Sequence, residues 1–178
     1  MEFEKVYLKL QDTEWEFTYT THDRTIARGI VFDDDFNFYF VKVTRDDEFG
    51  KAIYIETSGG GVEKGEILED AIQRELSEEL GVNVTVLDEI GIVDDYYNII
   101  HRHNINHYFL CKINSFGNKH LTDDEINKWH LSTIKLPLDA AIKAYKDNAT
   151  NKIARLVYNR EVPILLKAKE IIENNYRG

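Results

Sequence analysis

Hydrophobic and polar residues follow a period of two over much of the chain, which predicts β-strands. The predicted strands cover residues 3–10, 14–20, 25–32, 36–43, 52–57, 106–113 and 129–135, and residues 82–87 and 89–94 are predicted to form strand and turn. Residues 25–32 and 36–43 are expected to form a hairpin. Three aspartates, residues 33–35, separate them and favour a solvated turn over a calcium loop. Residues 44–50 are predicted to be a charged loop.

A helical period replaces this alternation in three other segments. Residues 66–80 contain neither Gly nor Pro, and Gly81 follows as a helix stop. A second helix is predicted from Pro137 to about residue 145, and a third from Thr150 to about residue 175, with Pro163 interrupting or restarting it. The last segment carries an apolar stripe that either packs on the domain or pairs with a second subunit in a homodimer. The stripe consists of Ile164, Leu165, Ala168, Ile171 and Ile172.

The first predicted helix carries carboxylates on the side where apolar residues are expected. At about 100° per residue, Glu75 and Glu79 share the sector of the apolar stripe and Glu78 lies on its flank. Crowded, partly desolvated carboxylates repel one another, and Arg74 alone cannot neutralise three of them. Hard divalent cations prefer oxygen ligands. The pattern therefore predicts a metal site.

The same stretch resembles the Nudix box. Gly60, five residues, Glu66, seven residues and then the run RELSEELGV at residues 74–82 fill every fixed position of that motif. The resemblance implies a hydrolase that cleaves a diphosphate linked to another moiety and uses Mg²⁺ or Mn²⁺. It implies that Glu75, Glu78 and Glu79 bind the metal, with Glu75, Glu78 and Arg74 as the catalytic set.

The resemblance also implies structural roles within residues 58–82. Gly60 is expected to lie against the metal site, while Glu66 and Arg74 hold loop and helix in register. Many family members have Leu-Pro before the glycines, whereas this chain has Thr57-Ser58. We expect this departure to loosen or re-aim the loop and to leave the acids intact.

Further residues are candidates for substrate contact or proton transfer. Arg28 either contacts a substrate phosphate or forms a surface ion pair. Asp123, Asp124 and Glu125 either supply an additional metal ligand or base, as an acid on a loop does in some relatives, or begin a helix that Thr122 caps.

An aromatic and histidine-rich segment lies between the predicted strands. His101, His103 and His107 could form a zinc site, but substrate-facing loop or polar strand positions fit their spacing better. Tyr96 and Tyr97 either stack on a base or sugar or pack in the core.

Composition and net charge disfavour several classes of protein. The chain has 178 residues and a formal net charge of −10, which disfavours broad binding to nucleic acid or anionic membranes. Cys111 is the only cysteine, no apolar run approaches the about 18 residues of a membrane span, and the first residues do not resemble a secretory signal. We therefore expect a cytoplasmic protein.

These patterns predict one α+β domain over residues 1–178, an α/β/α sandwich around a mixed sheet. Residues 1–20 are expected to form accessory strands and residues 137–175 C-terminal helices. The predicted function is metal-dependent hydrolysis of a nucleoside diphosphate derivative, either an NDP-sugar such as ADP-ribose or a (d)NTP. Two alternatives remain open: a catalytically inactive sensor that binds a nucleotide sugar, and an interaction protein whose acids are surface decoration.

Overall fold

The computed structural model describes residues 2–177, which form one mixed β-sheet with helices against both faces. The strands are β1 (Val6–Lys9), β2 (His22–Phe32), β3 (Asn37–Asp47), β4 (Gly50–Glu56), β5 (Ser58–Gly61), β6 (Val82–Tyr97), β7 (Arg102–Phe116) and β8 (Ser132–Pro137). The helices are α1 (Leu68–Leu80), α2 (Asp123–Asn127), α3 (Leu138–Asn148) and α4 (Lys152–Asn175), and a short 3₁₀ turn covers Asn98–Ile100. The predicted α+β fold with a mixed sheet is confirmed.

The main path of the sheet has the order β1-β6-β7-β2-β3-β4, with β5 added to β2 and β8 added to β3. The pairs β1–β6 and β2–β7 are parallel, whereas the other pairs are antiparallel. Strands β2 and β7 are therefore central, and the residues of their alternating faces reach both helical layers.

The two faces of β2 contact different helices. A Cβ on Gly29 would lie 3.0 Å from a methyl group of Leu76, so α1 packs closely on that face. On the opposite face Arg28 is level with Tyr108 of β7, and the Tyr108 hydroxyl donates to Glu161 of α4. The sheet thus separates α1 from the C-terminal helices. The apolar stripe of α4 is at most 2% exposed, so it packs on this domain.

Several predicted element boundaries were wrong. Residues 14–20 form no strand, because the Asp12 carboxylate accepts from the backbone amides of Glu14 and Trp15 and turns the chain. The predicted charged loop is mostly strand, since β3 extends to Asp47 and β4 begins at Gly50. Residues 82–97 form one strand that contains register shifts, where strand and turn were expected. Helix α4 continues through Pro163.

A buried carboxylate joins α4 to the sheet and to α3. Glu161 accepts from the Thr57 backbone amide at 2.7 Å, the Thr57 hydroxyl at 2.6 Å, and the Tyr108 and Tyr145 hydroxyls at 2.7 Å each. Arg160 lies beside it, with its Nη2 3.5 Å from Glu161. Both side chains are fully buried, and such charges are tolerated only when they are paired and hydrogen-bonded.

We predict that Glu161→Ala destabilises the fold by about 3–5 kcal/mol. The substitution removes a negative charge beside the buried Arg160 guanidinium, and it leaves four buried hydrogen-bond donors without their acceptor. Urea denaturation followed by circular dichroism measures the free energy of unfolding. Glu170→Ala on the exposed side of the same helix is the matched control and should change stability by no more than about 0.5 kcal/mol. Equal effects of the two substitutions would contradict the structural role of Glu161.

Candidate active site

The glycine strand β5 lies so close to β2 and to α1 that no side chain would fit at Gly59 or at Gly60. A Cβ on Gly60 would lie 2.5 Å from the Glu75 carboxylate, and a Cβ on Gly59 would lie 2.2 Å from the Ala27 carbonyl oxygen. The predicted glycine loop is thus a short strand that pairs with β2. Gly81 ends α1 in the left-handed region, with φ of 67°, as a helix-ending glycine is expected to do.

Arg74 fastens the glycine strand to α1. Its Nε and Nη2 donate to the two oxygens of Glu66 at 2.8 and 2.9 Å, and Nη2 also donates to the Gly61 carbonyl at 3.1 Å. Nη1 donates to Glu75 at 2.8 Å and to Glu78 at 3.4 Å. The hydrogen bonds from Arg74 lower the pKa of Glu66 to about 2. One guanidinium therefore fixes the segment before the helix and orients two of the predicted metal ligands.

Glu79 is the most enclosed of the three predicted ligands. It is 8% exposed and its Oε1 accepts from the Ser58 hydroxyl at 2.6 Å and from the Gly59 amide at 3.1 Å. Burial and a hydrogen bond with Glu125 raise the pKa of Glu79 well above its usual range. Burial also raises the pKa of Glu75, although Arg74 opposes the shift. A nearby cation would stabilise the ionised form of each of these carboxylates.

Glu125 meets this acidic group from α2. Thr122 caps that helix, because its hydroxyl accepts from the Glu125 amide at 3.2 Å while the Glu125 carboxylate accepts from the Thr122 amide at 2.9 Å. The helix-cap interpretation is therefore correct, yet the same Glu125 side chain also contacts Glu79. Asp123 and Asp124 are exposed and do not line the cleft that the glutamates share.

The four glutamates open into a cleft of about 570 Å³ whose floor is the sheet. Carboxylates line one side of it, and arginines and aromatic residues line the remainder. The charged and aromatic lining residues include Arg24, Arg28, Arg45, Phe49, Tyr54, Glu56, Arg74, Glu75, Glu78, Glu79, Tyr97, Arg102, Glu125 and Trp129. Seven carboxylates and five arginines line the cleft, so an anionic ligand would need bound cations to offset the excess negative charge.

The ligand atoms that the glutamates offer are of the chemical type that a hard divalent cation prefers. Glu75, Glu78, Glu79 and Glu125 offer carboxylate oxygens only, and Glu79 and Glu125 are close enough that each shifts the pKa of the other. Within residues 2–177 no three acidic, His or Cys side chains form a ready-made cation cage. Glu75 points to Arg74 and Glu79 to Ser58, so cation binding requires these side chains to exchange partners.

A family comparison agrees with this geometry. Residues 23–156 match the family model of the NUDIX domain, which is about three quarters of the chain. The chain belongs to the NUDIX domain family. It is accordingly a pyrophosphohydrolase of the Nudix type, and the assignment of residues 58–82 as its Nudix box stays a prediction. No curated protein matches the chain in a direct search.

Solved Nudix structures share the fold at low sequence identity. A NUDIX hydrolase from Nitrosomonas europaea is 17% identical with a TM-score of 0.63, and the match covers 84% of this chain and 90% of that one. The E. coli ORF135 protein is 17% identical with a TM-score of 0.60, covering 88% and 95%. An ADP compounds hydrolase is 18% identical with a TM-score of 0.60, covering 92% and 80%.

The Nudix box of this chain replaces the expected Leu-Pro by two side chains that anchor it. Thr57 is bound to Glu161 of α4, and the next residue, Ser58, is bound to Glu79 of α1. The loop is thus held by hydrogen bonds to two helices on opposite faces of the sheet. The expectation that the departure loosens the loop finds no support in these contacts.

Arg28 lies in the cleft floor and not on the surface. It is 7% exposed, and it donates to Asn106 at 3.0 Å, to Glu56 at 2.8 Å and to the Thr57 carbonyl at 3.2 Å. The predicted ion pair is therefore present, with Glu56 as the partner, but it is buried and not on the surface. Its donors are largely occupied by protein groups, so a substrate contact from Arg28 stays a prediction.

The histidines of the Nudix domain do not converge. His101 stacks on Tyr19, His103 contacts Asp23 and Asp94, and His107 contacts Glu89. These separate contacts agree with polar strand and turn positions and give no support to a shared zinc site. Of the tyrosines, Tyr97 lines the cleft, where its hydroxyl accepts from Arg160, and Tyr96 stacks on His103.

Sequence analysis missed the buried network beneath the Nudix site. Arg160 donates to the Tyr108 hydroxyl at 2.9 Å and to Asp95 at 3.1 Å, and Glu161 holds Thr57. The helical stripe of α4 was defined by apolar residues alone. Two adjacent charges just before Pro163 were the available signal.

We predict that the ion pair between Glu66 and Arg74 stabilises the fold only above acid pH. The pKa of Glu66 falls from 4.5 to about 2 on folding, so the stabilisation is fully present above pH 4.5 and is lost as the pH falls toward about 2. The melting temperature of Glu66→Gln should therefore lie below that of the wild type at pH 7 and approach it as the pH falls from 4.5 toward 3.

Circular dichroism melts over this pH range measure the difference between the two melting temperatures. Glu16→Gln serves as the control, since Glu16 is exposed and forms no ion pair within residues 2–177. A difference for Glu66→Gln that stays constant from pH 7 to pH 3 would show that the ion pair does not contribute in this way.

Proposed function

We propose that this Nudix protein hydrolyses the diphosphate linkage of a nucleoside diphosphate derivative, with Mg²⁺ or Mn²⁺ as cofactor. The substrate would be an NDP-sugar such as ADP-ribose, or a (d)NTP. The carrying observation is that Glu75, Glu78, Glu79 and Glu125 line one cleft beside a glycine strand without side chains. The structural similarity to an ADP compounds hydrolase supports the first substrate class.

Glu75, Glu78 and Glu79 would hold the cation, with Glu125 as an additional carboxylate. When bound, the cation would neutralise charge on the diphosphate and lower the pKa of the attacking water. Glu79 is held in place by Ser58 and Gly59, and Glu75 by Arg74. These contacts restrict the carboxylates before substrate enters, so less conformational freedom is lost on binding.

Glu78 is the least restrained of these side chains. Its side chain is 40% exposed, and its contact with Arg74 is 3.4 Å long. It can therefore turn toward the cleft and accept the proton of the attacking water, or bind the cation. The water oxygen would bond to one phosphorus while the bridging P–O bond breaks. The products would be a nucleoside monophosphate and a phosphorylated remainder, or pyrophosphate from a triphosphate.

We predict that Glu78→Gln lowers turnover by about 100-fold or more, because the amide neither accepts a proton nor binds a divalent cation as a carboxylate does. The melting temperature should change little, since Glu78 makes no close hydrogen bond. The assay measures phosphate and nucleotide release from ADP-ribose, nucleotide sugars, dinucleoside polyphosphates and (d)NTPs with Mg²⁺, with Mn²⁺ and with chelator.

Asp70→Asn on the exposed side of the same helix is the matched control and should keep wild-type turnover. Near wild-type activity of Glu78→Gln would contradict the proposed role of the glutamates in the cleft. If the wild type cleaves nothing in this panel but is thermally stabilised by a nucleotide sugar, the inactive sensor becomes the better description.

A further inference from the structure

Three polar residues occupy the cleft floor next to the glycine strand. Strands β2 and β7 are parallel, with Arg24 level with Asn104, and Arg102 precedes Asn104 by two residues and so shares its face. All three line the same cleft as the glutamates. None of them belongs to the Nudix box or to the buried network of Glu161.

Asn104 is a buried amide without a partner. The residue is 1% exposed, and neither its Oδ1 nor its Nδ2 forms a hydrogen bond within residues 2–177. An unsatisfied buried polar group costs about 1–3 kcal/mol, so native proteins rarely leave both ends of an amide unpaired. The next residue on this face, Asn106, is fully satisfied by Arg28, Val93 and Asp95. Of these two amides on the cleft floor, Asn104 is thus the one without a partner within residues 2–177.

Arg24 and Arg102 lack a carboxylate partner in a chain whose formal net charge is −10. Neither guanidinium forms an ion pair within residues 2–177, and the hydrogen bond that Arg102 makes is to the His22 ring at 3.3 Å. Partial desolvation and repulsion from Arg102 and Arg28 lower the pKa of Arg24, and attraction to Glu75 opposes this shift. Five other arginines each contact a carboxylate: Arg28, Arg45, Arg74, Arg155 and Arg160.

The glycine strand places Arg24 beside the acidic group. A Cβ on Gly61 would lie 2.8 Å from Nη2 of Arg24, and a Cβ on the neighbouring Gly60 would lie 2.5 Å from the Glu75 carboxylate. Positive and negative groups thus lie against adjacent glycines. Because adjacent residues of a strand point to opposite faces, the two groups flank the glycine strand from either side, and both line the same cleft.

We propose that Arg24, Arg102 and Asn104 form a phosphoryl-binding subsite of this cleft, separate from the glutamates that would hold the cation. The guanidiniums and the Asn104 Nδ2 would donate to phosphoryl oxygens, which accept hydrogen bonds only. The Asn104 Oδ1 would accept from a hydroxyl of the sugar that carries the phosphate. This subsite deepens the proposed function, on which its biological use rests, by favouring substrates with a phosphorylated sugar.

The test measures binding of inorganic phosphate and ribose 5-phosphate by calorimetry in the presence of chelator, so that no divalent cation contributes. We expect the wild type to bind both ligands, and ribose 5-phosphate more tightly. Arg24→Ala and Arg102→Ala should each weaken binding of both by about tenfold or more, as expected for loss of a charge-assisted hydrogen bond. Asn104→Leu should abolish the preference for ribose 5-phosphate.

Arg155→Ala removes an arginine remote from the cleft and should leave both affinities unchanged. If Asn104→Leu does not fold, the two arginine variants still decide whether the subsite exists, because Arg24 is exposed and Arg102 only half-buried. The subsite would be overturned if the wild type did not bind phosphate, or if Arg24→Ala and Arg102→Ala bound both ligands as tightly as the wild type. Hydrolysis without such binding would contradict the subsite and leave the proposed function supported. Binding without hydrolysis would support the subsite and contradict the proposed function.

Discussion

The buried pair of Arg160 and Glu161 is the constraint on which the rest of the structure depends. Removing two charges from water costs several kcal/mol each, and only close partners offset the cost. Glu161 receives four hydrogen bonds from β7, α3 and the residue before β5, while Arg160 contacts Asp95 and Tyr97 of β6. The position of α4 on the sheet is therefore fixed by polar geometry as well as by apolar packing.

This pair reaches the catalytic region through two neighbouring residues. Thr57 is bound to Glu161, and Ser58 is bound to Glu79 on the opposite side of the sheet. Arg74 completes the arrangement by joining Glu66, Gly61 and Glu75. The acidic helix, the glycine strand and the C-terminal helix thus share one hydrogen-bonded frame, in which a shift of one element displaces the others.

The sequence predicted the parts of the site that depend on local spacing. The helical period placed Glu75 and Glu79 on the packed side of α1, and the motif identified Gly60, Glu66 and Arg74. Prediction from the sequence failed where residues distant along the chain determine the surroundings of a side chain. The ion pair of Arg28 was expected at the surface, but it is buried, because Glu56 and Asn106 from two other strands contact the guanidinium. Residues 14–20 have strand-forming composition, yet one side chain, Asp12, turns the chain.

The contact between Thr57 and Glu161 joins positions 104 residues apart. During synthesis the Nudix box emerges from the ribosome long before its anchor in α4 exists, and a helix that nucleates early cannot complete the frame alone. The frame around the site is therefore incomplete until α4 is present, although this helix contributes no carboxylate to the cleft. Incomplete chains that end before residue 161 would carry the whole acidic motif without the anchor that holds its entry strand.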